Sequence, residues 1–273
     1  MKKQNVYDLV NTDSGYAWYN MTNETGRFFH CHTEYEIMYF ILGDVDIQIE
    51  GRSYTPAPES LLLIPPNNMH GFIVKSAHLF KRVTIHFFPE ILEPEERNLL
   101  LKPFQAPARY FPDLRGIHIN SLVEDLKDCK DIEAPLQKIK FKHRLISMLA
   151  DIYQLYTCAA VHPVPGDERI NSVLQYLNEN IKEDISLEQL SRKYFIDKDH
   201  LNKLFSKEIG IPVHRYVQVK RLILARDEIR KGSGIEEAAY KAGFKDYSNF
   251  YRAYKSFFGI KPSSQRNEVT INN

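Results

Sequence analysis

Shifting the numbering by 49 lays one stretch of this 273-residue chain over another. Asp197 falls on Asp246, Leu201 on Phe250, Lys203 on Arg252, Phe205 on Tyr254, Gly210 on Gly259 and Ile211 on Ile260. When an acid, an apolar pair, a cation and a glycine return in one order, the chain holds two copies of one supersecondary unit. Solenoids show repeats of similar length, but they need about three or more copies to bury a continuous core. Two copies without a third must instead close into a domain of their own.

The first copy reads as three helical stretches. From Arg169 to Ile181, Ile170, Val173, Leu174, Leu177 and Ile181 share one face. Ser186 and Gln189 then form a capping box, with Ile185 and Leu190 at the staple positions, and predict a short helix to about Tyr194. Asp197 caps a second helix, Lys198 to Glu208, which Gly210 ends. Two short helices joined by a tight turn make a helix-turn-helix. Leu201, Leu204 and Phe205 are spaced for burial, while Asp199, Asn202, Lys203 and Ser206 lie on the opposite face beside Lys207. In the second copy Ile235 to Phe244 supplies the supporting helix and turn. Phe250, Tyr254, Phe257 and Phe258 face inward there, and Ser248, Tyr251, Arg252 and Lys255 face out.

One long helix, Val213 to Arg230, is predicted between the copies, starting after Pro212 and stopping at Lys231-Gly-Ser-Gly234. At ~1.5 Å rise per residue it spans on the order of 25–30 Å. That approaches the ~34 Å between successive major-groove faces on one side of a duplex. Outward groups able to bond base edges or phosphates, repeated at that separation, point to double-stranded DNA as partner. Charge agrees: residues 1–166 hold 17 Lys and Arg against 20 Asp and Glu, and residues 167–273 hold 19 against 15.

These residues carry a family resemblance. The region from about Asn171 to Arg266, and above all Ala242-Gly-Phe-Lys-Asp-Tyr-Ser-Asn-Phe-Tyr-Arg-Ala-Tyr-Lys-Ser-Phe-Phe-Gly-Ile-Lys-Pro262, resembles the DNA-binding domain of AraC/XylS-type transcription regulators. Leu201, Leu204, Phe205, Gly210, Tyr216, Arg221 and Ala225 match the first unit and the linker helix. The resemblance implies base-facing roles for Asp199, Asn202, Lys203, Tyr247, Ser248, Tyr251 and Arg252, and phosphate contacts for Lys207 and Lys255. Ser191 departs from a usual alanine, Phe195 from a turn that often carries glycine, and Ser206 from a usual basic residue. An acidic Asp199 can accept from cytosine but is repelled by phosphate. The first unit is therefore expected to contact DNA more weakly, or more narrowly, than the second.

The N-terminal part has another period. From Phe28 to about Phe88 short segments such as Glu36–Leu42, Val45–Ile49 and Ser60–Ile64 alternate with turn signals at Gly43-Asp44, Gly51-Arg52 and Pro65-Pro-Asn-Asn68, the pattern of a sandwich or barrel. His30-Cys-His32-Thr-Glu-Tyr-Glu36 followed by Gly43, and Pro65-Pro-Asn-Asn-Met-His70, resemble the two motifs of the cupin barrel, the effector domain common in AraC/XylS regulators. His30, His32, Glu36 and His70 match the positions that hold metal in cupin enzymes, but Glu59, Asn67 and Val74 depart from the second motif. Regulatory cupins often keep such histidines to line a ligand pocket. The expectation is an effector pocket of Trp18, His30, His32, Glu36 and His70, with no cofactor and no catalysis; a divalent metal on the same four ligands, and with it a metal-dependent cupin enzyme, is the alternative. The aromatic Tyr16-Ala-Trp18-Tyr19 suits a sugar-like small molecule.

Around Ile117–Leu126 and Leu136–Tyr156 apolar residues recur three and four apart: Leu136, Ile139, His143, Ile146, Leu149, Ala150 and Tyr153. Such a stripe packs on the barrel, forms a dimer seam, or does both. Val161-His-Pro-Val-Pro-Gly-Asp167 reads as a linker. The expected architecture is multidomain: a cupin-like N-terminal β-barrel over 1–110, flanking helices for dimerisation or packing over 111–160, a linker over 161–167, and an all-α domain of two helix-turn-helix units joined by a long linker helix over 168–273. Cys31, Cys129 and Cys158 form no CxxC, no apolar run suits a signal peptide or membrane span, and no Walker loop, strand-linked GxGxxG or GxSxG is present. The expectation is a cytoplasmic homodimer that responds to an effector and meets RNA polymerase if it activates. A constitutive DNA-binding protein whose barrel only dimerises is a further alternative.

Overall fold

The computed structural model describes residues 5–106, 109–114, 125–126, 132–158 and 167–264. The chain divides into two compact units, residues 1–30 with 34–165, and residues 166–273 with the short 31–33 stretch. The expected linker, except Asp167, and most of the helix expected around Ile117–Leu126 lie outside the described residues.

The N-terminal unit is built on two antiparallel sheets. Its strands are β1 (Asn5–Thr12), β2 (Gly15–Thr22), β3 (Gly26–His30), β4 (Tyr35–Leu42), β5 (Val45–Ile49), β6 (Arg52–Tyr54), β7 (Ser60–Ile64), β8 (His70–Val74), β9 (Phe80–Phe87) and β10 (Tyr110–Phe111). One sheet runs β1-β2-β9-β4-β7-β10, the other β3-β8-β5-β6. The reading from Phe28 onward misses β1 and β2, where a register shift between Asp8 and Val10 breaks the period-two signal.

Because successive side chains point to opposite faces, β4 serves two cores. Ile37 and Tyr39 join Val83, Ile85 and Phe87 against helix α3 (Ala134–Cys158), which brings Phe141, Leu145 and Leu149. Met38 and Phe40 join Ile47, Ile64 and Phe72 between the sheets. Glu36 shares the parity of Met38 and Phe40, so it is carried to the inter-sheet face and is 1% exposed. Two short helices, α1 (Pro94–Leu100) and α2 (Lys102–Gln105), lie against α3.

Helix α3 corrects the stripe read from sequence. Its buried face is Phe141, Leu145, Met148, Leu149, Ile152 and Leu155, which shares only Leu149 with the expected set. Leu136 and Ile139 are 39% and 55% exposed, His143 and Ala150 are exposed, and Ile146 and Tyr153 are half-buried. The helix has apolar residues on two faces, and periodicity alone does not say which one the sheet takes.

The C-terminal unit consists of α4 (Glu168–Glu179), α5 (Leu187–Tyr194), α6 (Lys198–Ile209), α7 (Val213–Arg230), α8 (Ile235–Lys241) and α9 (Tyr247–Phe258). Ser186 and Gln189 exchange backbone bonds in the expected capping box at the start of α5. Gly210 and Gly259 end α6 and α9 in the left-handed conformation. Helix α7 is buried along most of its length and serves both halves. Tyr216 meets Phe205 edge-on at 5.5 Å, while Leu222, Ala225 and Ile229 pack with Ala238, Phe250 and Tyr254.

A knot of polar bonds fixes α7 to the first half. Tyr216 Oη donates to Asn178 Oδ1 at 2.9 Å, and Arg221 donates to the carbonyls of Ile181 at 2.8 Å and Glu183 at 2.6 Å. Those carbonyls follow the end of α4, where helical partners run out. Gly243, in the turn before α9, closes on the same place with φ +93°. A Cβ there would lie 2.7 Å from the Lys182 carbonyl oxygen and 2.8 Å from its Cα. Gly243→Ala thus adds left-handed strain to a backbone clash. It should cost about 2 kcal/mol or more and lower a thermal midpoint by roughly 8 °C or more, with helical circular dichroism retained below the transition; an unchanged midpoint would show that the two halves do not bear on one another here.

Candidate nucleic-acid interface and barrel site

In α6 the Asp197 carboxylate accepts from the backbone N–H groups of Asp199 and His200, each at 3.0 Å. The His200 N–H in particular holds the Asp197 carboxyl below its ordinary range. Asp199 is exposed in the first turn, where negative charge suits the helix dipole. Lys203 and Lys207 are exposed, with Lys207 3.8 Å from Glu208. Asn202 is half-buried, and its Oδ1 accepts from the Val213 N–H at 3.1 Å, so it caps the start of α7. The preceding turn contains Phe195, left-handed at φ 53° and 96% exposed.

In α9 Asp246 caps through the Asn249 N–H at 2.6 Å. Ser248, Arg252 and Lys255 are exposed, and Tyr247 and Tyr251 are half-buried with ring centroids 6.3 Å apart. Arg252 donates to Asn249 Oδ1 at 2.6 Å and to the Ser248 carbonyl at 3.4 Å. Among the described residues no carboxylate forms an ion pair with Lys203, Arg252 or Lys255, whereas Lys198, Lys241 and Lys245 each hold one.

A cleft of about 650 Å³ lies between the halves of this unit. His214, Arg215 and Gln218 of α7 face Asn249, Arg252 and Ser256 of α9 across it. Arg215 donates to Gln218 and lies 5.7 Å from the Phe257 ring. Reading α7 as a spacer passes over these three polar residues, although their place at its first turns marks them as other than core. Asn249 is missed for the opposite reason: the repeat aligns it with His200, which carries no signal of its own.

In the N-terminal unit β3 pairs with β8 so that His30 lies opposite His70, their ring centroids 4.2 Å apart. Glu36, from β4 of the other sheet, reaches His70 with Oε2 3.1 Å from Nε2. One ligand atom from each of His30, His32, Glu36 and His70 can be chosen so that all lie within 4.8 Å of one another. His70 and Glu36 are buried, His32 is half-buried and His30 is exposed. Trp18, on β2, belongs to a neighbouring stack, 4.7 Å from Tyr16 and 5.5 Å from His86.

The tautomer of His70 follows from its contacts. Nδ1 lies 2.9 Å from the Asn68 carbonyl, which can only accept, so Nδ1 carries a proton. In a neutral ring Nε2 then directs a lone pair at the Glu36 carboxylate. Two acceptors at that distance, both out of water, need a proton or a cation between them. Imidazoles with one carboxylate are the donor set of a divalent transition metal. Ligands at roughly 2.1 Å from a common ion are at most about 4.2 Å apart, so the cluster fits such an ion after a contraction of about half an ångström.

Comparison with known proteins bears on both units. Residues 14–149 match the AraC-like ligand binding domain and residues 190–268 match a helix-turn-helix domain of the same type of regulator. The chain is 25% identical over 245 residues to the probable transcriptional regulator LumQ of Photobacterium leiognathi, covering 89% of this chain and 93% of that one. It is also 25% identical over 228 residues to the HTH-type transcriptional regulator YbfI of Bacillus subtilis, covering 81% and 80%. A crystal structure of apo ToxT from Vibrio cholerae aligns over 95% of this chain and 99% of its own, at 13% identity and TM-score 0.45. An antiparallel cupin-like ligand-binding unit followed by two helix-turn-helix units makes this chain a member of the AraC family of transcriptional regulators.

Proposed function

We propose that the protein binds promoter DNA through α6 and α9 and that a small molecule in the N-terminal unit governs this binding. One observation carries the DNA half: α7 ties both recognition helices into one body, on which Lys203, Arg252 and Lys255 hold no ion pair among the described residues. Unpaired surface cations on two such helices serve phosphate and base edges at little desolvation cost. In this reading Tyr247, Ser248, Tyr251 and Arg252 read bases from α9, Asp199 and Lys203 read them from α6, and Lys207 and Lys255 hold phosphate. Asn202, engaged at Val213, supports the first helix rather than reading from it. His214 and Arg215 in the cleft add phosphate contacts between the two grooves.

The relatives are named as transcriptional regulators, which supports a role without turnover. The effector binds between the sheets near His30, Glu36 and His70, and its differential affinity for two states sets the size of the response. The outer stripe of α3, exposed at Leu136, Ile139, His143 and Ala150, supports a homodimer. Leu136, Ile139, His143, Ile146, Ala150 and Tyr153 alternate three and four apart, the spacing of a coiled-coil seam. In this reading the protein acts on promoters in the cytoplasm and, where it activates, beside RNA polymerase. No helix among the described residues is long and apolar enough to cross a membrane.

A second reading, that the barrel holds a divalent cation, is favoured by the His70–Glu36 geometry. His30, His32, Glu36 and His70 would hold it, and it would offer a Lewis-acidic anchor for an effector oxygen.

These readings have separate tests. With a duplex selected from random sequence, Arg252→Ala should lose about 1–3 kcal/mol of binding at particular base positions; a loss equal on all sequences would move Arg252 to phosphate, and no loss would remove α9 from the interface. Asn202→Ala should lower the melting temperature, having lost a half-buried bond worth about 1 kcal/mol, whereas Lys203→Ala should weaken DNA binding and leave melting unchanged. Sedimentation of Ile139→Glu should show a monomer where the parent chain is a dimer; a parent that is itself monomeric at working concentration sinks the seam. Elemental analysis should find one divalent metal per chain, lost in the His32→Ala, His70→Ala double variant, and a metal-free parent chain overturns the second reading.

A further inference from the structure

Arg82 is a cation on the inner wall of the N-terminal unit. It lies on β9, opposite Asn20 of β2 and Phe40 of β4. Its guanidinium carbon is 4.2 Å from the centre of the Phe72 ring and 4.8 Å from that of Phe80. The rings stabilise the charge through their faces but accept none of its N–H bonds. Nε is buried without a hydrogen-bond partner among the described residues. Glu36 acts on Arg82 only through space, and burial brings the guanidinium down to about 10, so it stays charged at neutral pH. The side chain is half-buried with Nε enclosed, and a guanidinium fork that meets no acceptor among the described residues leaves its strongest bonds to solvent or a ligand.

The fork borders a cavity of about 230 Å³, lined also by Thr22, Glu24, Phe28 and His30. This volume falls below the roughly 300–1,000 Å³ of pockets for drug-sized ligands. Aromatic rings form its floor, and Arg82 and Glu24 supply charges of opposite sign. Thr22 Oγ1 accepts from the Glu24 N–H at 3.1 Å and holds that residue at the rim. An anion therefore has one place to bind, and a second negative charge would meet Glu24. A neutral sugar accepts through its hydroxyl oxygens but leaves the guanidinium charge uncompensated.

We propose that this cavity binds a small hydroxylated monocarboxylate, its carboxylate forked by Arg82 between Phe72 and Phe80 and its hydroxyl donating to Glu24. The proposal rests on the reading of the barrel as the effector unit and gives that effector a chemical class. The size limits it to an acid of a few carbons.

The test uses the full chain, with glycolate, lactate and glycerate as probes and glycerol and glycolamide as uncharged counterparts. The Arg82 Nε–H resonance, assigned by its loss in Arg82→Met, is followed with the melting temperature up to tens of millimolar. The acids should shift both saturably and the neutral compounds neither. Arg82→Met fits between the same rings, so it should melt no lower than the parent without ligand. It should also bind the acids roughly tenfold or more weakly, as expected for losing a charge-assisted bond. Glu24→Gln should reduce the preference for glycolate over acetate. Absence of a saturable response to all three acids, an equal response to glycerol, or a response that survives Arg82→Met overturns the proposal. The same samples are titrated with the selected duplex. DNA binding without any response to acids overturns this inference alone, and a parent chain that binds no duplex overturns the wider reading.

Discussion

The guanidinium of Arg221 is the fastening on which the C-terminal unit depends. It rises from the middle of α7 and closes two backbone carbonyls forty residues upstream, where the end of α4 leaves them without helical partners. Gly243 then lays the turn of the second half against the same point, a contact that any side chain would hold open. Without this joint α7 would be a rod between two small bundles. With it, the bundles share one framework, and the outer faces of α6 and α9 have a fixed relation. The arginine is half-buried and its charge partly desolvated, a cost the two carbonyl bonds offset.

The N-terminal unit achieves order by a different route. Its main sheet is apolar on the face that α3 covers and mixed on the face that meets the second sheet. Glu36, His70, Thr84 and His86 are all buried polar residues. Asn20 and Thr84 are bonded to one another at 3.3 Å. An interior of this kind costs stability relative to a packed apolar core, and proteins retain it where something polar is to be held. The His70–Glu36 contact and the Arg82 guanidinium are two expressions of one wall: the first a pair of acceptors with a proton or cation to share, the second a donor facing an open cavity.

Much of the helical unit was legible in sequence because its signals are local. Caps, glycine stops and three-four periodicity lie within a few residues of the structure they specify, so the second helix-turn-helix, Asp246 to Gly259 included, needed no knowledge of distant partners. The barrel motifs likewise placed His30, Glu36 and His70 together, since β3, β4 and β8 bring those positions to one end of the sandwich. Three features were not legible. The bond from the Val213 N–H to Asn202 was one, because a helix wheel shows a face but not a partner eleven residues on. The buried side of α3 depended on which of two apolar stripes met the sheet. Arg82 was one basic residue in a strand until pairing with β2 and β4 turned it inward between two rings. In each case the deciding partner is remote in sequence, and no local pattern reports it.

Helix α7 contains neither glycine nor proline between Val213 and Arg230, and both of its ends are anchored in packed cores. For DNA bound as proposed, such a strut imposes a grammar on promoters. Each base pair inserted between the two recognition sites advances the second by about 3.4 Å and turns it through roughly 35°. A jointed protein could follow by swinging one half. This one has no joint to swing, so tolerance to altered spacing must come from bending or twisting of the duplex itself. Stiffness of the DNA between the contacted bases thereby becomes part of what is recognised, and sequences never touched by a side chain contribute to the choice of site.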